Sequence, residues 1–109
     1  MPTTYKILGQ TEPAATTAAD LYTVPASTNT VVSSITVCNR TGSAATFRIS
    51  VRNGGAAQAD EHYIAYDAPI APNDTIILTV GLTLEATDVI TVYASNADTS
   101  FNAYGSELT

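Results

Sequence analysis

The sequence holds few residues of the types that catalyse reactions. His62 is the single histidine and Cys38 the single cysteine, so a nucleophile–histidine–acid triad can be assembled only around His62. No Gly-x-Ser-x-Gly elbow occurs, and no known nucleophile signature surrounds Cys38. We expect a small buried thiol at Cys38 and a surface or interface side chain at His62. We therefore predict no catalytic residues and no enzymatic activity.

The carboxylates allow two other kinds of site, a glycosidase pair and a calcium site. Asp60 and Glu61 form the only adjacent acidic pair, and no Asp-x-Asp-x-Asp run occurs. Aspartates in turns usually accept hydrogen bonds from their own backbone. Five carboxylates lie in predicted turns: Asp67, Asp74, Glu85, Asp88 and Asp98. We predict no metal and no cofactor, and calcium held by distant loops stays open as an alternative.

Tyrosines favour one further alternative, a carbohydrate-binding module. Sugar sites usually combine aromatic platforms with polar groups, but tryptophan is absent and aromatic residues make up only 7% of the chain. Tyr63, Tyr66, Tyr93 and Tyr104 can supply rings if the fold brings them together. A tyrosine with a packed ring and a solvated hydroxyl is the ordinary case.

The charge balance argues against two classes of partner. The net charge is −6, and the only cations are Lys6, Arg40, Arg48 and Arg52. Nucleic-acid binding needs a clustered basic patch that neutralises several phosphates, and an anionic membrane surface needs a similar cluster. Arg48 and Arg52 can share one strand face, but two arginines among ten carboxylates are not such a patch. We predict binding to neither nucleic acid nor membrane.

The elements that must position these residues are β-strands, because the hydrophobic pattern has a period of two. In residues 75–85 the even positions are apolar and the odd positions are mostly polar, which indicates a strand with one buried face. Gly81 is expected to bend this strand or to split it. Similar alternation occurs in residues 29–39, 46–52 and 89–95, and weaker strands fit residues 5–8, 21–24, 61–66 and 100–104.

Turn residues separate these segments at intervals typical of a β-sandwich. The chain has 109 residues, of which 45% are hydrophobic and 13% charged, and a length of this order suits one domain. We predict an all-β, single-domain antiparallel β-sandwich, jelly-roll-like, with about eight strands. Residues 20–109 form the sandwich, and residues 1–19 form an N-terminal strand and an extended arm. The arm is either frayed or ordered against a neighbouring subunit.

Several strand-and-turn segments together form a recognisable set. They are LYTVP at 21–25, VSSITVCNR at 32–40, ATFRISVR at 45–52, YIAYD at 63–67, IAPNDT at 70–75 and DVITVYAS at 88–95, followed by Phe101 and residues 105–107. This set resembles small structural proteins of tailed bacteriophages. The resemblance covers about residues 20–109 and is carried by patterns, with no catalytic signature among them. It implies a virion protein, either a capsid decoration (cement) protein or a tail, baseplate or fibre-attachment component.

This resemblance sets the expected function, partners and location. We expect a non-enzymatic protein that forms homo-oligomers and binds other virion proteins, such as the major capsid protein or tail proteins. The first residues lack the basic and apolar regions of a signal peptide, so the chain is expected to be made in the host cytoplasm and used in the virion. An uncharged outer surface of short side chains suits a permanent interface. The expected surface positions are Thr46, Ser50, Thr79, Thr83 and Thr91.

Overall fold

A computed structural model describes residues 2–109 of the chain. Within this range nine β-strands and two short 3₁₀ turns, Asn53–Gly55 and Asp60–His62, form one body. No helix in the described range is long and apolar enough to cross a membrane. The strands are β1 (Thr3–Thr11), β2 (Ala19–Thr23), β3 (Asn29–Asn39), β4 (Ala45–Arg52), β5 (Tyr63–Ile70), β6 (Thr75–Leu78), β7 (Leu82–Leu84), β8 (Val89–Ala94) and β9 (Thr99–Leu108).

The strands form two antiparallel sheets. Sheet A has the order β1-β9-β3-β6, and β7 also pairs with β3; sheet B has the order β2-β8-β4-β5. Because β6 and β7 pair with successive parts of β3, they act as one interrupted strand. With β6 and β7 counted together as the sixth strand, β8 becomes the seventh strand and β9 the eighth. The two sheets then have the orders 1-8-3-6 and 2-7-4-5, which is the arrangement of a jelly roll. The prediction of an antiparallel, jelly-roll-like sandwich is confirmed.

The interruption between β6 and β7 lies where the sequence predicted it. Gly81 has a φ of 56°, a left-handed conformation that glycine adopts without a steric penalty from Cβ. On either side the apolar alternation holds, since Leu78 and Leu82 are half-buried and Leu84 is buried. Ile77, on the opposite face, is 66% exposed.

The core lies between the sheets and consists of the inward positions of both. Phe47 of β4 and Phe101 of β9 meet across it edge to face, with ring centroids 6.3 Å apart. Burial of these apolar side chains drives the packing of the two sheets, at roughly 25 cal/mol per Å² removed from water. The largest fully buried apolar side chains besides these are Ile35, Ile49, Ile70, Ile90, Val24, Val32, Val37 and Val92.

The first strand is one of the outer strands of sheet A. β1 pairs with β9 from Thr3 to Thr11, and Gly9 lies so close to β2 that a Cβ atom would stand 2.0 Å from the Leu21 carbonyl oxygen. Residues 12–18 then cross to sheet B. Along this crossing the Thr16 amide donates to the Ala94 carbonyl at 2.8 Å, so the segment lies against the body of the domain.

Candidate functional site

The outer face of sheet B carries two clusters of charged and aromatic side chains. Alternation along β4 turns Phe47 and Ile49 inward and leaves Arg48, Ser50 and Arg52 on the outer side. The register then places Tyr93 of β8 opposite Arg48. This face combines arginines with aromatic rings and carboxylates.

A β-bulge in β5 brings two more groups to Arg48. Phe47 pairs with Ala68 and Ile49 with Ala65, so Arg48 alone faces both Tyr66 and Asp67. The Arg48 Nε donates to Asp67 Oδ1 at 2.6 Å, and its Nη2 donates to Oδ2 at 3.3 Å. Asp67 has a φ of 49°, as expected where an extra residue re-aims side chains in a strand.

The guanidinium group of Arg48 also packs against two aromatic rings. Its Cζ lies 4.2 Å from the ring centroid of Tyr66 and 4.3 Å from that of Tyr93. Such contacts attract a cation to the negative face of each ring. The hydrogen bonds to Asp67 raise the pKa of Arg48 above its ordinary value, so the group stays charged. Tyr63 meets Tyr66 edge to face, with centroids 4.8 Å apart and planes at 80°.

A second polar cluster on this face is centred on Arg52. Its Nε donates to Thr91 Oγ1 at 3.0 Å, and its Nη2 donates to Asp20 Oδ1 at 3.2 Å. Its Nη1 donates to the carbonyl oxygens of Gly55 and Ala56 at 3.2 and 2.9 Å. Arg52 thus ties β2, β8 and the loop after β4 together.

These two clusters border a cleft of about 540 Å³. It lies between residues 16–20 on one side and Gln58 and Tyr63 on the other, and Arg48, Arg52 and Tyr93 also line it. A second hollow of about 330 Å³ is lined by Asp60, Tyr63 and Tyr66. Tyr63 therefore contributes to both.

Three of the four tyrosines named from the sequence come together here. Tyr63, Tyr66 and Tyr93 lie on the outer face of sheet B, whereas Tyr104 lies on β9 of sheet A. The sequence reasoning did not assign Asp20 or Gln58 to this cleft. The one local signal for this cleft in the sequence was the spacing of Arg48 and Arg52, which predicts that both lie on the same face of their strand.

Three sequence-based expectations need correction. Ser50 and Thr91 do not form an open surface, because they are only 1% and 8% exposed. Gln58 covers Ser50 through a 2.7 Å hydrogen bond, and Arg52 covers Thr91.

The other two corrections concern Asp67 and Cys38. Asp67 lies within β5 at the bulge and not in a turn. Cys38 is half-buried, since it occupies the outward phase of β3 next to the buried Val37. Of the other expected surface positions, Thr79 and Thr83 are exposed and Thr46 is half-buried.

The remaining polar candidates serve local structure. His62 accepts a hydrogen bond at Nδ1 from the Ala59 amide at 3.0 Å. Asp88, which is buried, accepts from the amides of Gly54 and Glu85 at 2.7 and 3.0 Å, while Asp74 accepts from the Thr75 amide. Within residues 2–109 no three histidine, cysteine, aspartate or glutamate side chains are grouped as metal ligands.

A partly buried polar network connects the two sheets. The Tyr22 hydroxyl donates to Glu107 Oε2 and lies 2.8 Å from Thr30 Oγ1, and Lys6 Nζ donates to Glu107 Oε1 at 3.2 Å. Burial, together with the hydrogen bond to Glu107, raises the pKa of Tyr22 to about 12. The same hydrogen bond is the main cause of a lowered pKa at Glu107.

The outer face of sheet A is chemically different from that of sheet B. Its exposed large apolar side chains are Tyr5, Ile7, Val31 and Ile77, with 85%, 52%, 41% and 66% exposure. The residues that pair with these side chains on the neighbouring strands, in rows across the sheet, are all uncharged. The three rows are Tyr5–Ser106–Val31–Thr83, Ile7–Tyr104–Ser34 and Gln10–Asn102–Thr36–Ile77.

Comparison of the chain with protein-family models, with curated proteins and with solved structures gave no match.

Proposed function

We propose that this chain is a non-enzymatic structural protein of a phage virion, most specifically a capsid decoration protein that forms homo-oligomers and binds the particle surface. It would be located in the virion and contact the major capsid protein. A tail, baseplate or fibre-attachment component is the alternative location for the same assembly role.

The observation that carries this proposal is the uncharged, partly apolar outer face of sheet A. Tyr5, Ile7 and Val31 lie near one another on β1 and β3, on either side of β9, and expose large apolar surfaces. Exposed apolar patches mark sites of association, and the centres of protein interfaces are depleted of charge. β1 is also an outer strand, whose free backbone groups can pair with a further strand.

The fold suits this role. Jelly rolls occur in viral capsid domains and also in lectins, and the function of a shared fold resides in the surfaces that it presents. Burying the sheet A face against another subunit would remove apolar surface from water and add to the stability of a small domain.

Light scattering coupled to size-exclusion chromatography tests the assembly. We expect the protein to elute as a homo-oligomer, and we expect Ile7→Glu to shift it toward the monomer. Ile64→Glu is the matched control, because Ile64 is 46% exposed but belongs to β5 of sheet B. A strict monomer at high concentration would contradict the assembly.

Mass spectrometry of purified particles, from a phage that carries this gene, tests the virion role. The protein should be present in many copies per particle. Gold-labelled antibody should then decorate the capsid; labelling confined to the tail would support the alternative location, and absence from the particles would overturn the virion role.

A further inference from the structure

We propose that the cleft and the adjoining hollow on the outer face of sheet B together form a binding site for a neutral oligosaccharide. The ring of Tyr66, which lines the hollow, is its stacking platform. This inference stands on the cleft and the hollow and does not require the virion role. The site would give the chain an adhesive property in addition to assembly.

The aromatic walls suit a pyranose ring. One face of a sugar ring carries several C–H groups, which pack well on an aromatic surface, while its edge carries hydroxyls. Tyr66 is 57% exposed although it contacts Arg48 and Tyr63, so ring surface remains free for a ligand. The near-perpendicular planes of Tyr63 and Tyr66 form two walls of one corner.

Unused hydrogen-bonding groups surround these walls. In the part of the chain that the structure describes, the hydroxyls of Tyr63, Tyr66 and Tyr93 make no hydrogen bond to protein, and neither does Oδ2 of Asp20 or Nη1 of Arg48. These atoms include both donors and acceptors. Sugar hydroxyls can act as either, so they match this mixed set.

The supporting groups are already held in place. Arg52 uses Nε, Nη1 and Nη2 on Thr91, two backbone carbonyls and Asp20. Arg48 is held by Asp67 and by two rings. A site that is ordered before binding loses less conformational entropy when the ligand arrives.

The charge balance favours a neutral ligand over an anion. Each arginine of the cleft already pairs with a carboxylate, Arg48 with Asp67 and Arg52 with Asp20. Asp60 adds a further negative charge beside Tyr63 and Tyr66. A phosphate or sulfate would face these carboxylates as well as the arginines, whereas neutral hydroxyls would not be repelled.

The dimensions suit more than one sugar unit. The cleft of about 540 Å³ falls in the range of roughly 300–1,000 Å³ that is usual for small-molecule sites. The second hollow of about 330 Å³ shares Tyr63 with it, so a linear oligosaccharide can contact both.

Nuclear magnetic resonance titration of the full chain tests this site. The probes are gluco-, galacto-, manno- and N-acetylglucosamine-based oligosaccharides of two to four units, with inorganic sulfate as the anionic probe. At least one saccharide series should shift the amide signals of Tyr63, Tyr66 and Tyr93, and sulfate should not. No shift with any saccharide at about 10 mM, a concentration that detects even millimolar affinity, would overturn the proposal, as would shifts confined to sheet A or a stronger response to sulfate.

Two variants separate a binding role from a structural one. Tyr66→Ala should weaken saccharide binding by about tenfold while the thermal midpoint stays close to that of the wild type, because Tyr66 is largely exposed. Tyr104→Ala, on sheet A, should leave the affinity unchanged. Light scattering on Tyr66→Ala should show the wild-type oligomer, so a failure of the sugar site and a failure of the assembly role are distinguishable.

Discussion

Arg48 and Asp67 form a bidentate ion pair between β4 and β5, with N–O distances of 2.6 and 3.3 Å. The pair exists because β5 carries an extra residue at this point, so that one position of β4 faces two positions of β5. Without the bulge, alternation would place Tyr66 and Asp67 on opposite faces of sheet B. The bulge thus brings an aromatic ring and a carboxylate to the same guanidinium group.

The left-handed backbone at Asp67 gives a first prediction. A residue with a Cβ atom is strained at a φ of 49°, whereas glycine is not. Asp67→Gly and Asp67→Ala both remove the carboxylate, so the difference between their free energies of unfolding measures the backbone strain at this position. We expect the glycine variant to have the higher free energy of unfolding by about 1 kcal/mol in urea titrations.

The variants Thr46→Gly and Thr46→Ala serve as the control for this comparison. Thr46 is in β4 and is not among the residues with positive φ, so there the alanine variant should be the more stable one. If glycine were favoured equally at Thr46 and Asp67, the bulge conformation would not be the cause.

Close packing between the two sheets gives a second prediction. A Cβ atom on Gly9 would stand 2.0 Å from the Leu21 carbonyl oxygen, so Gly9→Ala forces β1 away from β2. We expect a loss of about 2 kcal/mol and a fall in the thermal midpoint of roughly 10 °C. Gly42→Ala is the matched control, since nothing lies within 4 Å of its Cβ position, and equal midpoints for the two variants would refute this account.

The network around Glu107 makes stability depend on pH at both extremes. Because the folded state lowers the pKa of Glu107, its contribution is present above the unfolded value of about 4.3 and is lost as the pH falls through the folded value. Because the folded state raises the pKa of Tyr22 to about 12, its contribution is present below about pH 10 and is lost as the pH rises toward 12. Stability should therefore fall in acid and again in strong base.

Tyr22→Phe tests this third prediction. It removes the donor that chiefly lowers the pKa of Glu107 and leaves Thr30 without its 2.8 Å partner. Urea titrations should show a loss of about 1 kcal/mol at neutral pH, a weaker acid dependence and a smaller loss between pH 10 and 12. Tyr5→Phe, at a position that is 85% exposed, should preserve the wild-type profile; an unchanged profile in Tyr22→Phe would exclude the network as its source.

Asn39 carries a fourth prediction, because this fully buried amide links separate loops. Its Nδ2 donates to the carbonyl oxygens of Ser43 and Ala71 at 2.8 and 3.2 Å, and its Oδ1 accepts from the Thr41 hydroxyl at 2.9 Å. Asn39→Ala removes these three hydrogen bonds from a buried position and should lower the free energy of unfolding by about 3 kcal/mol, at about 1 kcal/mol for each bond. Asn29→Ala, at an exposed position of the same strand, should cost under about 0.5 kcal/mol.

The sandwich was predictable because its signal is local. A pleated strand turns alternate side chains to opposite faces, so the pattern in residues 75–85 revealed one buried face and, at Gly81, the interruption. The two 3₁₀ turns between β4 and β5 gave no such signal, because each spans only three residues and carries no hydrophobic period. Ser50 and Thr91 were expected on an open surface, because no local pattern shows that Gln58, in the loop between these turns, and Arg52, at the end of β4, cover them.

By itself, the sequence determined the alternation of apolar residues, the low charge and the two-layer, all-β architecture, since side-chain direction in a strand depends only on the neighbouring residues. The tertiary structure alone decided that Tyr63, Tyr66 and Tyr93 would meet on sheet B while Tyr104 would lie on sheet A. That outcome depends on strand order and on the bulge opposite Arg48. Both result from long-range pairing that is stabilised by the whole core and that no single segment specifies.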